Sequence, residues 1–208
     1  MFEPNNLEEA KGHVVGDCNG IPTKLRWENE TPYMVKIITD EINKRGSKTV
    51  LDYGCGAGRI AKGVVEQNRG VKLIGMDKSD QMLKIAKDYV LSERFIPIKI
   101  GTTQPEKVDF AYAIYVLQHI HAIDLRETLA FLAMSSDSLF VVNSICRMAV
   151  TLDGRGFHED GINMINEVRR FFPKINWGIP FQYIAENPVM RKMFLEGGTL
   201  HWGALCEK

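Results

Sequence analysis

The chain has 208 residues, 45% of them hydrophobic and 25% charged, with 26 basic side chains balanced by 26 acidic ones. That length suits one domain with a core of its own, and a net charge of zero counts against a protein that lives on nucleic acid, which usually shows a basic excess or stripe. No stretch approaches the ~20 apolar residues of a membrane span, the opening residues lack the basic and apolar regions of a secretory signal, and Cys18, Cys55, Cys146 and Cys206 are too scattered for a zinc site or a disulfide framework, so a reduced, cytoplasmic setting is expected.

Residues 1–30 are rich in Asn, Gly, Pro and charge, with weak periodicity, and read as an irregular lead-in. Thr31-Pro32 reads as a helix start, with Thr31 as N-cap and Pro32 at the first helical position. Met34, Ile37, Ile38, Glu41 and Ile42 follow at helical spacing, and Gly46 stops the run. From there the chain alternates. Short strands are expected at 49–52, 71–76, 96–100, 108–116 and 138–142. Helices are expected at 59–67, at 79–91 and from a cap at Asp124 to about Met134. This rhythm predicts βαβ units, hence an α/β fold: a doubly wound, mostly parallel sheet of about seven strands with helices on both faces. In the tail, helices are expected at 158–172 and 188–195, and a last strand at 199–206. The organisation reads as a single domain: an N-terminal cap segment and helix (1–46), a core (47–143) and a C-terminal region (144–208).

The most informative segment is Val50-Leu51-Asp52-Tyr53-Gly54-Cys55-Gly56-Ala57-Gly58-Arg59, an apolar strand, then Asp-x-Gly-x-Gly-x-Gly, then a helix. Glycines let a ligand lie against bare backbone, and the helix N-terminus offers unpaired N–H groups. A dinucleotide loop reads G-x-G-x-x-G. Arg59 stands where that pattern needs its third glycine, and Gly58 comes one step early. Asp52 would repel a pyrophosphate, whereas an ammonium group would welcome it. Further on, Asp77 ends the second expected strand, beside the glycine loop at the carboxyl edge of such a sheet. A carboxylate there can accept hydrogen bonds from both hydroxyls of a ribose. Met76 and Met82 are placed to pack on an adenine.

These two segments resemble the first two motifs of the class I S-adenosylmethionine-dependent methyltransferases. Val108 to Ile120, with Asp109 at the acidic position, resembles the family's fourth motif. The resemblance covers roughly residues 48–142. It implies S-adenosylmethionine as cofactor, with Gly54, Cys55, Gly56 and Gly58 lining it and Asp77 on its ribose. Lys78, Met82 and Tyr115 complete the implied lining. Many relatives carry an acidic residue after the third strand for the adenine amino group. Here Ile100-Gly101-Thr102-Thr103 stands there, which leaves Thr102 or a backbone carbonyl for that contact.

Several assignments carry two readings each. Asp52 either meets the cofactor's ammonium or braces the loop. Cys55 reads as a small packed residue, because nothing nearby in sequence would activate a thiolate. His119, after the fourth strand, is either a catalytic general base or a loop histidine satisfied by backbone; His121 reads as the latter. A metal held by Asp109 and Asn143, as in catechol-type relatives, would lack a second carboxylate beside Asn143, so no metal is expected. His158-Glu159-Asp160 reads as a solvated helix start.

No Asn/Asp-Pro-Pro-Tyr/Phe segment follows the fourth strand and no Pro-Cys pair exists, which counts against methylation of bases or glutamine amides and against cytosine-C5 chemistry. The expected function is direct in-line methyl transfer to a small-molecule acceptor, with neither nucleic acid nor membrane as partner. The acceptor is expected to sit under a cap formed by residues 1–30 and 144–198, which carry Trp27, and Phe157, Phe171, Phe172, Trp177, Phe181 and Tyr183, with Tyr33 close behind the first. A methyltransferase acting on protein or nucleic acid, a non-catalytic cofactor-binding module and a nicotinamide-dependent oxidoreductase are the rival classes; Gly58 and Arg59 disfavour the last.

Overall fold

In a computed structural model of the chain, the residues described are 3–16, 20–102, 106–146, 161–176, 187–195 and 199–208. The lead-in is more ordered than its composition implies. Asn6 caps helix α1 (Leu7–Val14), accepting from the Glu9 amide at 3.0 Å, with Glu8 and Glu9 in the first turn and Lys11 and His13 in the last. Those charges complement the helix dipole at both ends. Helix α2 spans Thr23–Arg45, so Thr31 is not its cap and Pro32 lies inside it. Proline deprives the Glu28 carbonyl of its helical donor. Both residues are exposed, which leaves that carbonyl accessible to water. A buried ion pair between Arg26 and Glu30 draws the helix start upstream. Gly46 ends α2 at a left-handed φ of 65°, as the sequence leads one to expect.

The alternation then unfolds in order: β1 (Thr49–Tyr53), α3 (Arg59–Gln67), β2 (Lys72–Asp77), α4 (Asp80–Val90), β3 (Phe95–Lys99), β4 (Phe110–Ile114), a single 3₁₀ turn (Leu117–His119), α5 (Ala122–Ser135) and β5 (Ser138–Cys146). The tail adds α6 (Gly161–Phe171), β6 (Lys174–Asn176), α7 (Pro188–Leu195) and β7 (Thr199–Glu207). Asp124 lies in the first turn of α5 and does not cap it; the His121 carbonyl takes the amides of Asp124 and Leu125. His158 to Asp160 lie outside the described residues.

One sheet of seven strands results, in the order β3-β2-β1-β4-β5-β7-β6. The pairs β1–β2, β1–β4, β2–β3 and β4–β5 are parallel. β7 runs antiparallel to both β5 and β6, with Ser138 opposite Glu207 at one end of its register and Cys146 opposite Thr199 at the other. Side-chain alternation fills two cores. Val50, Leu73, Phe110, Tyr112 and Phe140 pack with α2, α3 and α4, while Leu51, Ile74, Ala111, Leu139 and Val141 pack with α5 and α6. No helix among the described residues is long and apolar enough to cross a membrane. The strand order reverses between β1 and β4, and such a reversal opens a crevice at the carboxyl ends of the strands.

Asp109 belongs to the opposite edge. Its carboxylate accepts from the Lys48 and Thr49 amides at 2.7 and 2.8 Å and from the Thr49 hydroxyl at 3.0 Å, joining the starts of β1 and β4. Asn143 sits fully buried beyond Val142, at the carboxyl side of β5. The two cannot share an ion, and no group of three or more potential metal ligands occurs among the described residues.

Asp109→Ala should therefore lower stability by about 1 kcal/mol without weakening ligand binding at the far edge. The backbone N–H groups of Thr49 and Lys48 hold the Asp109 carboxyl below its ordinary range. Its contribution is thus present above the unfolded pKa and is lost as pH falls through the depressed value. Urea melts of both proteins at neutral and acid pH check this; the stability gap should close in acid.

Candidate functional site

The loop between β1 and α3 is tied to β2 by its backbone. The amides of Gly54 and Cys55 both donate to the Met76 carbonyl, at 2.7 and 2.9 Å, and the Gly58 amide returns to the Cys55 carbonyl at 2.9 Å. Asp77 completes the tie: one carboxylate oxygen accepts from the Gly56 amide and the other from the Ser79 amide, both at 2.9 Å. Two glycines are required by close approach as well as by a positive φ. A Cβ on Gly54 would lie 2.3 Å from the Val116 side chain, and one on Gly58 would lie 2.8 Å from that of Val90. These two glycines seat the loop against its neighbours, a role distinct from the expected contact with a ligand.

Asp52, at the end of β1, is buried, and its Oδ2 has no hydrogen-bond partner. Burial pushes its carboxyl up to about 7; the nearby Asp77 adds to the rise, while the Tyr112 hydroxyl and Arg59 oppose it. The Tyr112 hydroxyl faces Asp52 without closing a hydrogen bond of normal geometry. An orphaned, nearly enclosed carboxylate oxygen beside a glycine loop fits a cationic amino group. Cys55 is also buried, and burial, with the Asp52 and Asp77 carboxylates, raises its thiol well above its usual range. It packs as a small residue and cannot serve as a nucleophile at neutral pH.

The turn after β4 holds the other candidates. Tyr115 is buried and adopts φ 58°, unusual for a side chain of that size. Its amide donates to the Val142 carbonyl at 2.6 Å. His119 closes the 3₁₀ turn, and desolvation of its ring by the surrounding protein, with His13 nearby, lowers its pKa. The Gln118 side-chain amide nitrogen lies 3.3 Å from His119 Nε2, and the Gln118 backbone amide donates to Asn143 Oδ1 at 3.3 Å. Asn143 Nδ2 is buried and unpartnered.

The remaining candidates diverge from expectation. Met76 is buried among the residues of the α5–α6 face, so it is not available to an adenine. Met82 packs with Ala10, Ala57 and Ile85 beneath α1. Lys78 is exposed in the turn after β2. Thr102 is exposed, and its hydroxyl donates to the Lys99 carbonyl at 2.7 Å. Of the aromatics assigned to a cap, Phe171 and Phe172 complete the α5–α6 core and Tyr33 packs on the other core. Trp27 meets Tyr89 edge-on at 6.2 Å, with Lys11 and Arg59 over its ring. Phe157, Trp177, Phe181 and Tyr183 lie outside the described residues.

Sequence reasoning missed α1 and an ionic group beside it. Leu7 and Val14 of α1 pack on the cluster of Ala10, Ala57, Met82 and Ile85, so the helix lies across the glycine loop. Glu30 is wholly buried between Arg26 (3.0 Å) and Arg59 (2.9 Å), the residue that follows Gly58. The four-residue spacing of Arg26 and Glu30 was a helix signal within a segment read as irregular.

Residues 51–135 match the family model described as a methyltransferase domain. A ubiquinone biosynthesis O-methyltransferase from Nitrosomonas europaea is 30% identical over 96 residues, which covers 43% of this chain and 40% of that protein. One of the same name from Idiomarina loihiensis is 28% identical over 96 residues, covering 43% and 39%. The chain therefore spans about two fifths of the length of these curated relatives. Among solved structures, human N-acetylserotonin methyltransferase in complex with SAM gives a TM-score of 0.64 at 13% identity, over 97% of this chain and 56% of that one. The N-terminal domain of EvdMO1 with SAH bound gives 0.64 at 12%, over 92% and 89%. At such identities these two likenesses speak for the fold alone. The family match lies over the strand–glycine loop–helix segment and the β2–β4 region, so residues 51–135 are similar to a methyltransferase domain and the chain as a whole shares the fold of the solved methyltransferases.

Proposed function

We propose that this chain binds S-adenosylmethionine at the carboxyl ends of β1 and β2 and catalyses methyl transfer to an oxygen of a small-molecule acceptor held beside the β4 turn. The observation that carries the reading is the pair of carboxylates at the glycine loop: Asp77, which already holds the Gly56 amide, and Asp52, whose Oδ2 lacks a partner. Asp77 is the group for the ribose hydroxyls, and Asp52 the group for the amino end. In this reading Gly56 and Tyr115 complete the lining, and the backbone after β3 is left for the adenine side, since Met82 is packed beneath α1 and the Thr102 hydroxyl is held by the Lys99 carbonyl. The sulfonium of the cofactor supplies an activated methyl group, so the protein needs only to orient the acceptor in line and exclude water.

In this reading His119, at the end of the turn after β4, is the base that takes the proton of an acceptor hydroxyl. A lowered pKa keeps its imidazole neutral at physiological pH, the form that accepts a proton. The named O-methyltransferase relatives support oxygen as the accepting atom. The balanced charge supports a small molecule over a polyanion.

Three outcomes test this. In calorimetry, Asp77→Ala should bind the cofactor about 1.5–3 kcal/mol more weakly, the scale for a charged hydrogen-bond partner; unchanged affinity in a folded variant removes Asp77 from the ribose. Cofactor affinity should rise as pH climbs through about 7, because a protonated Asp52 offers no charge to the ammonium. Titrations in buffers of different ionisation enthalpy should show a proton released on binding below that pH, and none for Asp52→Asn. Labelled cofactor incubated with a metabolite extract should transfer its methyl to a small molecule. With that acceptor, wild-type rate should fall as pH drops below the lowered His119 value, and His119→Ala should lose about 10²–10⁴ in turnover. A variant that keeps full turnover makes His119 a structural residue.

A further inference from the structure

We propose that Arg26 is a positioning residue that latches α1 over the glycine loop, so that α1 acts as a hinged cover through which the cofactor enters and leaves. The inference rests on the cofactor assignment above. An isolated helix of eight residues is far below the length that holds itself together in water. Its place in the molecule depends on what it docks against. On one side is a small apolar patch, Leu7, Ala10 and Val14 on Ala57, Met82 and Ile85. Val14 reaches the loop itself: a Cβ on Gly56 would stand 3.1 Å from its Cγ2.

At the far end is Arg26. Its guanidinium donates to the carbonyls of Val15, the C-cap of α1, and of Gly16, the latter at 3.1 Å. A cation on the last carbonyls of a helix satisfies their unpaired acceptors and complements the negative end of the dipole. Arg26 is itself held by two further groups. Glu30 takes its other nitrogen at 3.0 Å, the Tyr115 ring lies 5.9 Å from its guanidinium carbon, and the side chain is buried. One residue thus joins the end of the cover, the turn after β4 and, through Glu30, the start of α3 behind the glycine loop. The planar fork of arginine makes these bonds at once; lysine, a single point charge, cannot.

The charge arrangement makes the test practicable. Removing Glu30 would leave two buried guanidinium groups facing each other, whereas removing Arg26 leaves Glu30 paired with Arg59 at 2.9 Å. Arg26→Met is therefore expected to fold. Its amides in α1 should lose protection in hydrogen exchange while those of β1 and β4 keep theirs. S-adenosylhomocysteine should dissociate roughly tenfold faster or more, the rate equivalent of losing a charge-assisted hydrogen bond. The KM for cofactor should rise by a similar factor, with kcat at saturation nearly unchanged, and Arg26→Lys should restore only part of the loss. Val14→Ala, which loosens the cover without touching the latch, should also speed dissociation, and it serves if Arg26→Met does not fold. Unchanged α1 protection in Arg26→Met, or unchanged dissociation despite a loosened α1, overturns the proposal. If wild-type protein binds no S-adenosylhomocysteine, the cofactor reading fails on its own, while the exchange measurement still decides whether Arg26 holds α1.

Discussion

The site depends first on the Asp77 carboxylate. It is a tie between two loops that belong to neighbouring strands, with the Gly56 amide on one oxygen and the Ser79 amide on the other. A glycine-rich turn has little side-chain packing of its own, and glycine loses more conformational freedom on ordering than any other residue. Asp77, together with the Met76 carbonyl under Gly54 and Cys55, offsets that loss with hydrogen bonds from β2. The same anion that gives the loop its shape is the one proposed for a ribose, so in that reading holding the loop and receiving a ligand draw on one group.

Charge follows the same economy around it. Burial raises the Asp52 carboxyl, and the neighbouring Asp77 carboxylate adds to that rise. On the outer side, Glu30 is buried between two guanidinium groups, whose attraction holds its carboxyl low despite the cost of burial. Arg59 belongs to both halves: it pairs with Glu30 and also favours the charged form of Asp52. Charges thus alternate in sign from Asp52 at the end of β1 through Arg59 and Glu30 to Arg26 near the start of α2. A cation arriving at Asp52 would extend that alternation.

The sheet was legible because period and punctuation agree there. Apolar runs such as Val50 to Tyr53, bounded by glycine or capped by a Ser79-type residue, admit little but a buried strand followed by a helix, and α3 begins and ends where its pattern does. The glycine loop and Asp77 were legible for the same reason, since their spacing is itself the geometry. The lead-in was not. Asn, Gly, Pro and charged residues signal a loop when read locally, but Arg26 and Glu30 are polar residues that sit inside the protein, and their partner Arg59 lies across the fold. Burial of that kind leaves no hydrophobic period to read. The role of Asp109 was not legible from its place at the acidic position of the fourth motif; the backbone amides it accepts from lie at the amino edge of the sheet. β6, three residues long, carries too few side chains to show any period.

The insertion of β7 between β5 and β6 has a consequence for how the chain reaches this state. The strand pairings of β1 to β5 with one another are available once residue 146 has been made, yet among the described residues the outer edge of β5 finds its partner in residues 199–207. Until then a nine-residue strand presents an open ladder of amides and carbonyls along Ser138 to Cys146, with Leu139, Phe140, Val141 and Val142 among its side chains. Exposed apolar edges of that kind template pairing with other chains. During synthesis the half-finished sheet is adhesive, and β7 is the segment that ends the exposure, a zip closed late and in the antiparallel sense.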